Sequence, residues 1–136
     1  MKLKIELTKP GNLPYVRLYH GVELYNFLID TGSTDCWLLP ACIYQFMRDG
    51  ETSTKQRLDN MDEHFVFTAT LRVEPVTGEP KDDLMPKFRT EFMCKTLENF
   101  TEMNKVLGDK IHGILGMSFF RDNHVKLDLD RLIMQL

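Results

Sequence analysis

The chain has 136 residues, close to the usual size of one domain, so we expect residues 1–136 to form a single domain around one hydrophobic core. A formal net charge of −3 provides no basic field for nucleic acid, and 43% hydrophobic with 27% charged residues is ordinary for a globular protein. The first twelve residues alternate charged and apolar positions, and no apolar run is long enough to cross a bilayer, so neither a signal peptide nor membrane association is predicted.

The first third of the chain is dominated by strand patterns. Residues 3–7 place Leu3, Ile5 and Leu7 on one face of a predicted strand. Residues 15–29 form two strand-like runs that meet in a tight turn at His20-Gly21, and residues 35–39 form a third, short run. Pro40 stands where the first turn of a helix tolerates proline, which predicts a helix over 41–48 that stops at Gly50.

The middle of the chain alternates between exposed and strand-like segments. Residues 49–63 are polar and expected to be exposed. Residues 64–75 predict a strand with one strongly apolar face, made of Phe65, Phe67, Ala69, Leu71 and Val73. Residues 74–87 carry three prolines and a glycine, which is typical of a loop or of the end of a long hairpin.

The last third contains strands and the two clearest helical patterns. Residues 87–95 alternate as a strand with Phe88, Phe92 and Cys94 inward. Residues 97–108 have helical spacing and a glycine stop, and residues 117–123 predict a second short helix. Between them, residues 111–116 read as a strand ending on glycine, and residues 124–134 alternate like a closing strand. So many short strands predict an all-β domain with a closed or strongly curled sheet and two or three short helices.

Cysteine and histidine positions indicate neither a disulfide framework nor a metal site. Cys36, Cys42 and Cys94 form an odd set without CxxC spacing. We expect reduced thiols in a cytoplasmic protein, core or half-buried residues rather than nucleophiles, with Cys36 and Cys94 on strands and Cys42 on a helix. Four scattered histidines lack a metal-ligand spacing, so no metal is predicted and each is expected at the surface or in a turn: His20, His64, His112 and His124.

An apolar predicted strand ends directly at an aspartate in segment 27–34, Phe-Leu-Ile-Asp-Thr-Gly-Ser-Thr. A carboxylate in that position is costly unless a neighbouring group satisfies it or the protein uses it. A second apolar strand ends in glycine at 111–116, Ile-His-Gly-Ile-Leu-Gly. This order of motifs resembles the retropepsin-like aspartic proteases, which include the retroviral proteases. The resemblance spans roughly residues 14–133, with specific motifs confined to 27–34 and 111–130.

The resemblance implies a small curled or closed β-barrel of the acid-protease type and assigns roles around Asp30. Asp30 is the implied catalytic carboxylate, and Thr31 is implied to turn its hydroxyl into the neighbouring subunit's loop. Gly32 lets the loop backbone approach the carboxylate and present N–H groups to it. Ser33 is implied to hydrogen-bond the outer oxygen of Asp30. The segment implied to pack against this loop and hold it rigid consists of Ile114, Leu115 and Gly116.

The implied reaction needs two chains. An aspartic protease holds a water between two carboxylates that share one proton; one accepts the water's proton while the other donates to the peptide carbonyl. The sequence contains a single Asp-Thr-Gly, so the second carboxylate must be Asp30 of a symmetry mate. The implied protein is therefore a homodimeric endopeptidase that acts on a peptide or protein substrate and uses no cofactor, because water is the nucleophile.

Two other interpretations remain open. The family builds its substrate-covering flap on glycines, whereas the expected flap at 49–63 offers only Gly50. The same fold could therefore serve as a catalytically dormant dimerisation or peptide-binding module. In an unrelated ligand-binding barrel, Asp30 would merely cap a turn. Three aromatic residues are expected in the core, with a substrate-pocket wall as the alternative: Trp37, Tyr15 and Phe119.

Overall fold

The computed structural model describes residues 2–21, 23–39, 42, 52–59, 62–73, 87–94, 98–108 and 110–136. Apart from Cys42, the helix expected over 41–48 lies outside the described residues. So does the loop expected over 74–87, apart from its last residue.

Strands make up most of the described chain. Their order is β1 (Lys2–Lys4), β2 (Glu6–Leu7), β3 (Pro14–His20), β4 (Glu23–Ile29), β5 (Cys36–Leu38), β6 (Thr52–Asp59), β7 (Asp62–Val73), β8 (Lys87–Cys94), α1 (Glu98–Val106), β9 (Gly113–Leu115), α2 (Met117–Asp122), β10 (Lys126–Asp128) and β11 (Ile133–Gln135). The strands expected over 15–29, 35–39, 64–75 and 87–95 and both expected helices of the last third are confirmed.

Six strands close into a mixed barrel in the order β3-β4-β9-β5-β8-β7, and the pairing of β7 with β3 joins the two ends. Strand pairs β4–β9 and β5–β8 are parallel, and the others in the ring are antiparallel. Strand β2 extends the sheet beside β3, and β6 extends it as a hairpin with β7. The predicted all-β barrel is confirmed.

The barrel interior follows from the alternation of apolar residues along its strands. On β3, Val16 and Leu18 are fully buried while Arg17 between them is exposed. At the centre, the rings of Phe27 on β4 and Phe92 on β8 stack with their centroids 5.5 Å apart. Both rings are fully buried, and their stacking packs β4 against β8 across the barrel.

The C-terminal part of β4 is buried on both faces because residues of α1 and its following loop cover its outer side. Leu28 points away from the barrel interior and packs in a second cluster with Leu107, Ile111 and Ile114. The side chain of Asn104 holds the loop after α1 in place: it accepts from the N–H of Ile111 at 3.0 Å and donates to its carbonyl at 2.9 Å. Burial on both faces is typical of a strand with a parallel neighbour, as β4 has in β9.

The chain's first and last strands form a separate three-stranded sheet, β1-β11-β10. Residues 124–134 were expected to form one strand, and this expectation is wrong. They form most of a β10–β11 hairpin whose turn holds Leu132 at φ 55°. The single strand expected over 3–7 is likewise divided between two sheets, and Leu7 is exposed.

All three cysteines are buried free thiols, as expected, and Cys36 and Cys94 lie on strands. His20 was expected in an exposed turn, but it is fully buried with its Nδ1 3.3 Å from the carbonyl oxygen of Thr70. The described residues contain no group of side chains able to hold a metal ion. None of the helices in the described ranges is long and apolar enough to cross a membrane.

Candidate active site

The backbone places Asp30 at the point where β4 and β9 separate. The parallel pairing ends with Ile29 opposite Leu115, and the Asp30 N–H donates to the Leu115 carbonyl at 3.0 Å. Beyond this bond the chain turns sharply, because the Ser33 N–H donates to the Asp30 carbonyl at 3.1 Å. The buried end of β4 is thus followed directly by an exposed residue, Asp30, at the start of a tight turn.

The Asp30 carboxylate is held by the loop that follows it. The N–H of Gly32 donates to Oδ1 at 3.0 Å. A Cβ at Gly32 would lie 3.2 Å from the same oxygen, which is tighter than ordinary packing. Thr31 and Gly32 are both exposed, so the loop is open on the side of the carboxylate. This arrangement orients one oxygen of Asp30 without burying the charge.

Ser33 departs from the role that the resemblance implied. Its hydroxyl donates to the Asp35 carbonyl at 2.7 Å and accepts from the indole N–H of Trp37 at 3.2 Å. A serine hydroxyl can donate one hydrogen bond, and here the backbone carbonyl of Asp35 accepts it. In the single chain, therefore, Ser33 does not hydrogen-bond Asp30. Trp37 instead fixes the base of the loop through Ser33, and its half-buried ring packs in the second cluster.

The second glycine-ended strand lies directly against the Asp30 loop. The Met117 N–H donates to the Ser33 carbonyl at 2.7 Å, and the Ser118 N–H donates to the Thr34 carbonyl at 3.0 Å. A Cβ at Gly116 would lie 2.7 Å from the Ser33 carbonyl oxygen and still closer to that of Asp35. Ile114 pairs with both Leu28 and Trp37. The structure thus brings Ile114, Leu115 and Gly116 together with the Asp30 loop.

Cys36, expected only as a core or half-buried residue, lies where the two loops of the site meet. Its Sγ accepts from the Gly116 N–H at 3.3 Å and lies 3.5 Å from the Ser118 hydroxyl. Burial raises the pKa of the Cys36 thiol, which keeps it protonated and unreactive. Its role is to satisfy the backbone where the two loops meet. No spacing in the sequence connects positions 36 and 118.

His112 is a second residue whose position was not anticipated. Its ring Nδ1 accepts from the Asn26 backbone N–H at 3.0 Å, and the His112 backbone N–H donates to the Asn26 carbonyl at 2.9 Å. Burial lowers the pKa of His112, and the bond at Nδ1 requires the unprotonated nitrogen. The imidazole and the backbone of His112 therefore extend the β4–β9 contact by one residue before the Phe27–Gly113 pair.

Phe119 is buried in the core, with its ring centroid 6.3 Å from that of Phe88. Tyr15 is half-buried and borders a cavity beside β2. The core expectation holds for Phe119.

Comparison with known proteins connects this geometry to one fold. No protein-family model and no curated protein matches the sequence. Among solved structures, the chain is similar to a retropepsin-like aspartic protease from Rickettsia conorii, with a TM-score of 0.55 and 15% identity. The alignment covers 98% of this chain and 88% of that one. At this identity the similarity shows the fold alone, which is retropepsin-like.

Proposed function

We propose that this chain is an aspartic endopeptidase that acts as a homodimer, with Asp30 of each subunit at one shared site. The observation that carries the proposal is the placement of Asp30: an exposed carboxylate, oriented by the Gly32 N–H, on a loop clamped by a second glycine-ended strand. The retropepsin-like fold supports the same interpretation.

In the proposed dimer the two Asp30 carboxylates share one proton and hold a water between them. One carboxylate accepts a proton as the water attacks the peptide carbonyl, and the protonated partner donates to the carbonyl oxygen. The clamp by the Ser33–Met117 and Thr34–Ser118 hydrogen bonds keeps each carboxylate in position, which reduces reorganisation during the reaction. Thr31 is exposed and free to meet the partner's loop.

The proposed substrate is an extended, partly apolar segment of a peptide or protein. Two copies around a two-fold axis present the same walls to both sides of the scissile bond. We assign the β6–β7 hairpin to the cover over this cleft, because it contains most of residues 49–63. Three buried free thiols suit a reducing compartment, and we place the protein in the cytoplasm as a single domain.

The test compares wild type with Asp30→Asn on a broad peptide library from mildly acidic to neutral pH. We expect wild type to cleave extended peptides and Asp30→Asn to cleave none. The variant should unfold at the wild-type temperature or slightly above it, because the amide oxygen can accept from Gly32 and the like charges are gone. Hydrolysis by Asp30→Asn at the wild-type rate would remove Asp30 from the mechanism.

A dormant binding module on the same fold is the second candidate. Two observations favour it. The Ser33 hydroxyl donates its hydrogen bond to the Asp35 backbone carbonyl rather than to Asp30, and the expected flap at 49–63 has a single glycine, Gly50. Under this alternative, wild type cleaves no peptide in the library, yet an extended peptide or a statine-type inhibitor still binds. Binding without hydrolysis would therefore select the module over the enzyme.

A further inference from the structure

A cavity of about 470 Å³ opens beside β2, at the end of β3 and β4 that also carries Asp30. This location follows from register, since Tyr15 borders the cavity and pairs with Leu28, two residues before Asp30. Its lining is mainly apolar, with buried residues at the base and the exposed Leu7 among the lining residues: Ile5, Leu7, Leu107, Ile111 and Leu132. A cavity of this size is large enough to take one or more apolar side chains.

The lining of this cavity carries a positive charge. Three ammonium-bearing side chains contribute to it, Lys4, Lys9 and Lys110. They are opposed by one carboxylate in the lining, Glu6, which stands opposite Tyr15 in the β2–β3 pairing. An apolar cavity with an excess of lysines fits an apolar side chain flanked by acidic groups.

The chain itself presents such a group in the turn between β10 and β11. Leu129 is 56% exposed although it is a large apolar residue, and it stands between Asp128 and Asp130. The Asp128 carboxylate accepts from the Arg131 backbone N–H at 3.0 Å and lies 3.8 Å from the Arg131 guanidinium. These two contacts stabilise the turn. Asp130 is exposed beside Leu129.

We propose that Leu129 of one copy of this chain inserts into the cavity of a second copy, with Asp130 facing the lysines of the cavity. The turn and the cavity are neighbours, because Leu132 closes the turn and also lines the cavity. A two-fold axis beside them therefore lets both copies insert at once. This inference rests on the proposed function for the existence of a homodimer, and it names the surface that brings the two Asp30 loops together.

Sedimentation equilibrium of Leu129→Asp, with Leu129→Met as the matched control, tests the contact. Position 129 is exposed, so both variants should fold. We expect the dimer dissociation constant to rise about a hundredfold or more in Leu129→Asp, since each of two lost leucine contacts is worth at least about a factor of ten. Leu129→Met should dimerise like wild type. A Leu129→Asp protein that dimerises as tightly as wild type overturns the inference.

Crosslinking between two singly substituted chains tests the geometry. Leu7→Cys chains mixed with Leu129→Cys chains should form a covalent heterodimer on mild oxidation, because the two thiols meet only across the interface. Glu23→Cys is the control partner, since it is exposed at the opposite end of β4. Equal crosslinking of Leu129→Cys to Glu23→Cys and to Leu7→Cys overturns the proposed contact.

The two proposals fail separately. A dimer that depends on Leu129 but cleaves no peptide would contradict the protease and leave the interface standing. Peptide hydrolysis by a Leu129→Asp dimer of wild-type affinity would contradict the interface and leave the protease standing.

Discussion

Replacing Gly116 with alanine tests the close contact between the two loops of the site. The added methyl group would lie 2.7 Å from the Ser33 carbonyl oxygen and nearer still to the Asp35 carbonyl oxygen. Both obstacles are backbone atoms, so no side-chain rotation relieves them. The loop that carries Asp30 has to move away from the start of α2.

The size of the effect follows from two contributions. Overpacking against rigid atoms costs about 1–3 kcal/mol. Moving the loop also strains the hydrogen bonds from Met117 to Ser33 at 2.7 Å and from Gly116 to Cys36 at 3.3 Å, each worth about 1 kcal/mol. If both bonds are lost, we expect the free energy of unfolding to fall by about 3–5 kcal/mol, which lowers Tm by roughly 10–17 °C for a chain of this size.

Urea and thermal unfolding of Gly116→Ala and Gly32→Ala provide the measurement and its control. At Gly32 the nearest obstacle is the Asp30 Oδ1 at 3.2 Å, the end of a side chain that can rotate, so the change should stay below about 1 kcal/mol. A Gly116→Ala protein as stable as Gly32→Ala would refute the close apposition of the two loops.

Three further predictions concern titration, the base of the loop and the cover. Burial lowers the pKa of His112 in the folded protein, so between that pKa and about 6.5 the unfolded chain is protonated at His112 and the folded chain is not. The free energy of unfolding should therefore fall as pH drops below about 6.5 and level off below the folded-state pKa. His112→Asn should flatten this slope in urea titrations at pH 5 to 7.5, and an unchanged slope would exclude His112 as its source. Ser33→Ala leaves the indole N–H of Trp37 unpaired, so the emission of this single tryptophan should shift and stability should fall by about 1–3 kcal/mol; unchanged emission would contradict the bond at 3.2 Å. Amide hydrogen exchange in 49–63 should slow when a statine-type inhibitor saturates the protein, whereas protection confined to 74–87 would place the cover there.

The elements that sequence predicted best are those whose signals are local. The β3–β4 hairpin followed from period-two alternation and Gly21, and the end of α1 followed from Gly108, which the structure holds at φ +74°. The abrupt end of the apolar run at Asp30 coincides in the structure with the end of the β4–β9 pairing, where the Asp30 N–H donates to the Leu115 carbonyl.

The features that sequence missed depend on distant partners or on unmarked turns. His20 is buried beside the carbonyl of Thr70, fifty residues away, and nothing near His20 signals that contact. The β10–β11 turn places Leu132 in the left-handed region, where glycine or asparagine would have marked it. Closure of the barrel by Leu18 opposite Val73 is a long-range pairing of the same kind.

Mixing subunits tests the central claim, that two Asp30 carboxylates form one site. Wild type is combined with a tenfold excess of Asp30→Asn, exchange is verified with tagged chains, and peptide hydrolysis is measured per wild-type chain. Mass action leaves about one wild-type chain in eleven with a wild-type partner, so activity per chain should fall to roughly a tenth. Activity that stays proportional to the wild-type chains present would mean that each chain carries its own site, and would contradict the shared one.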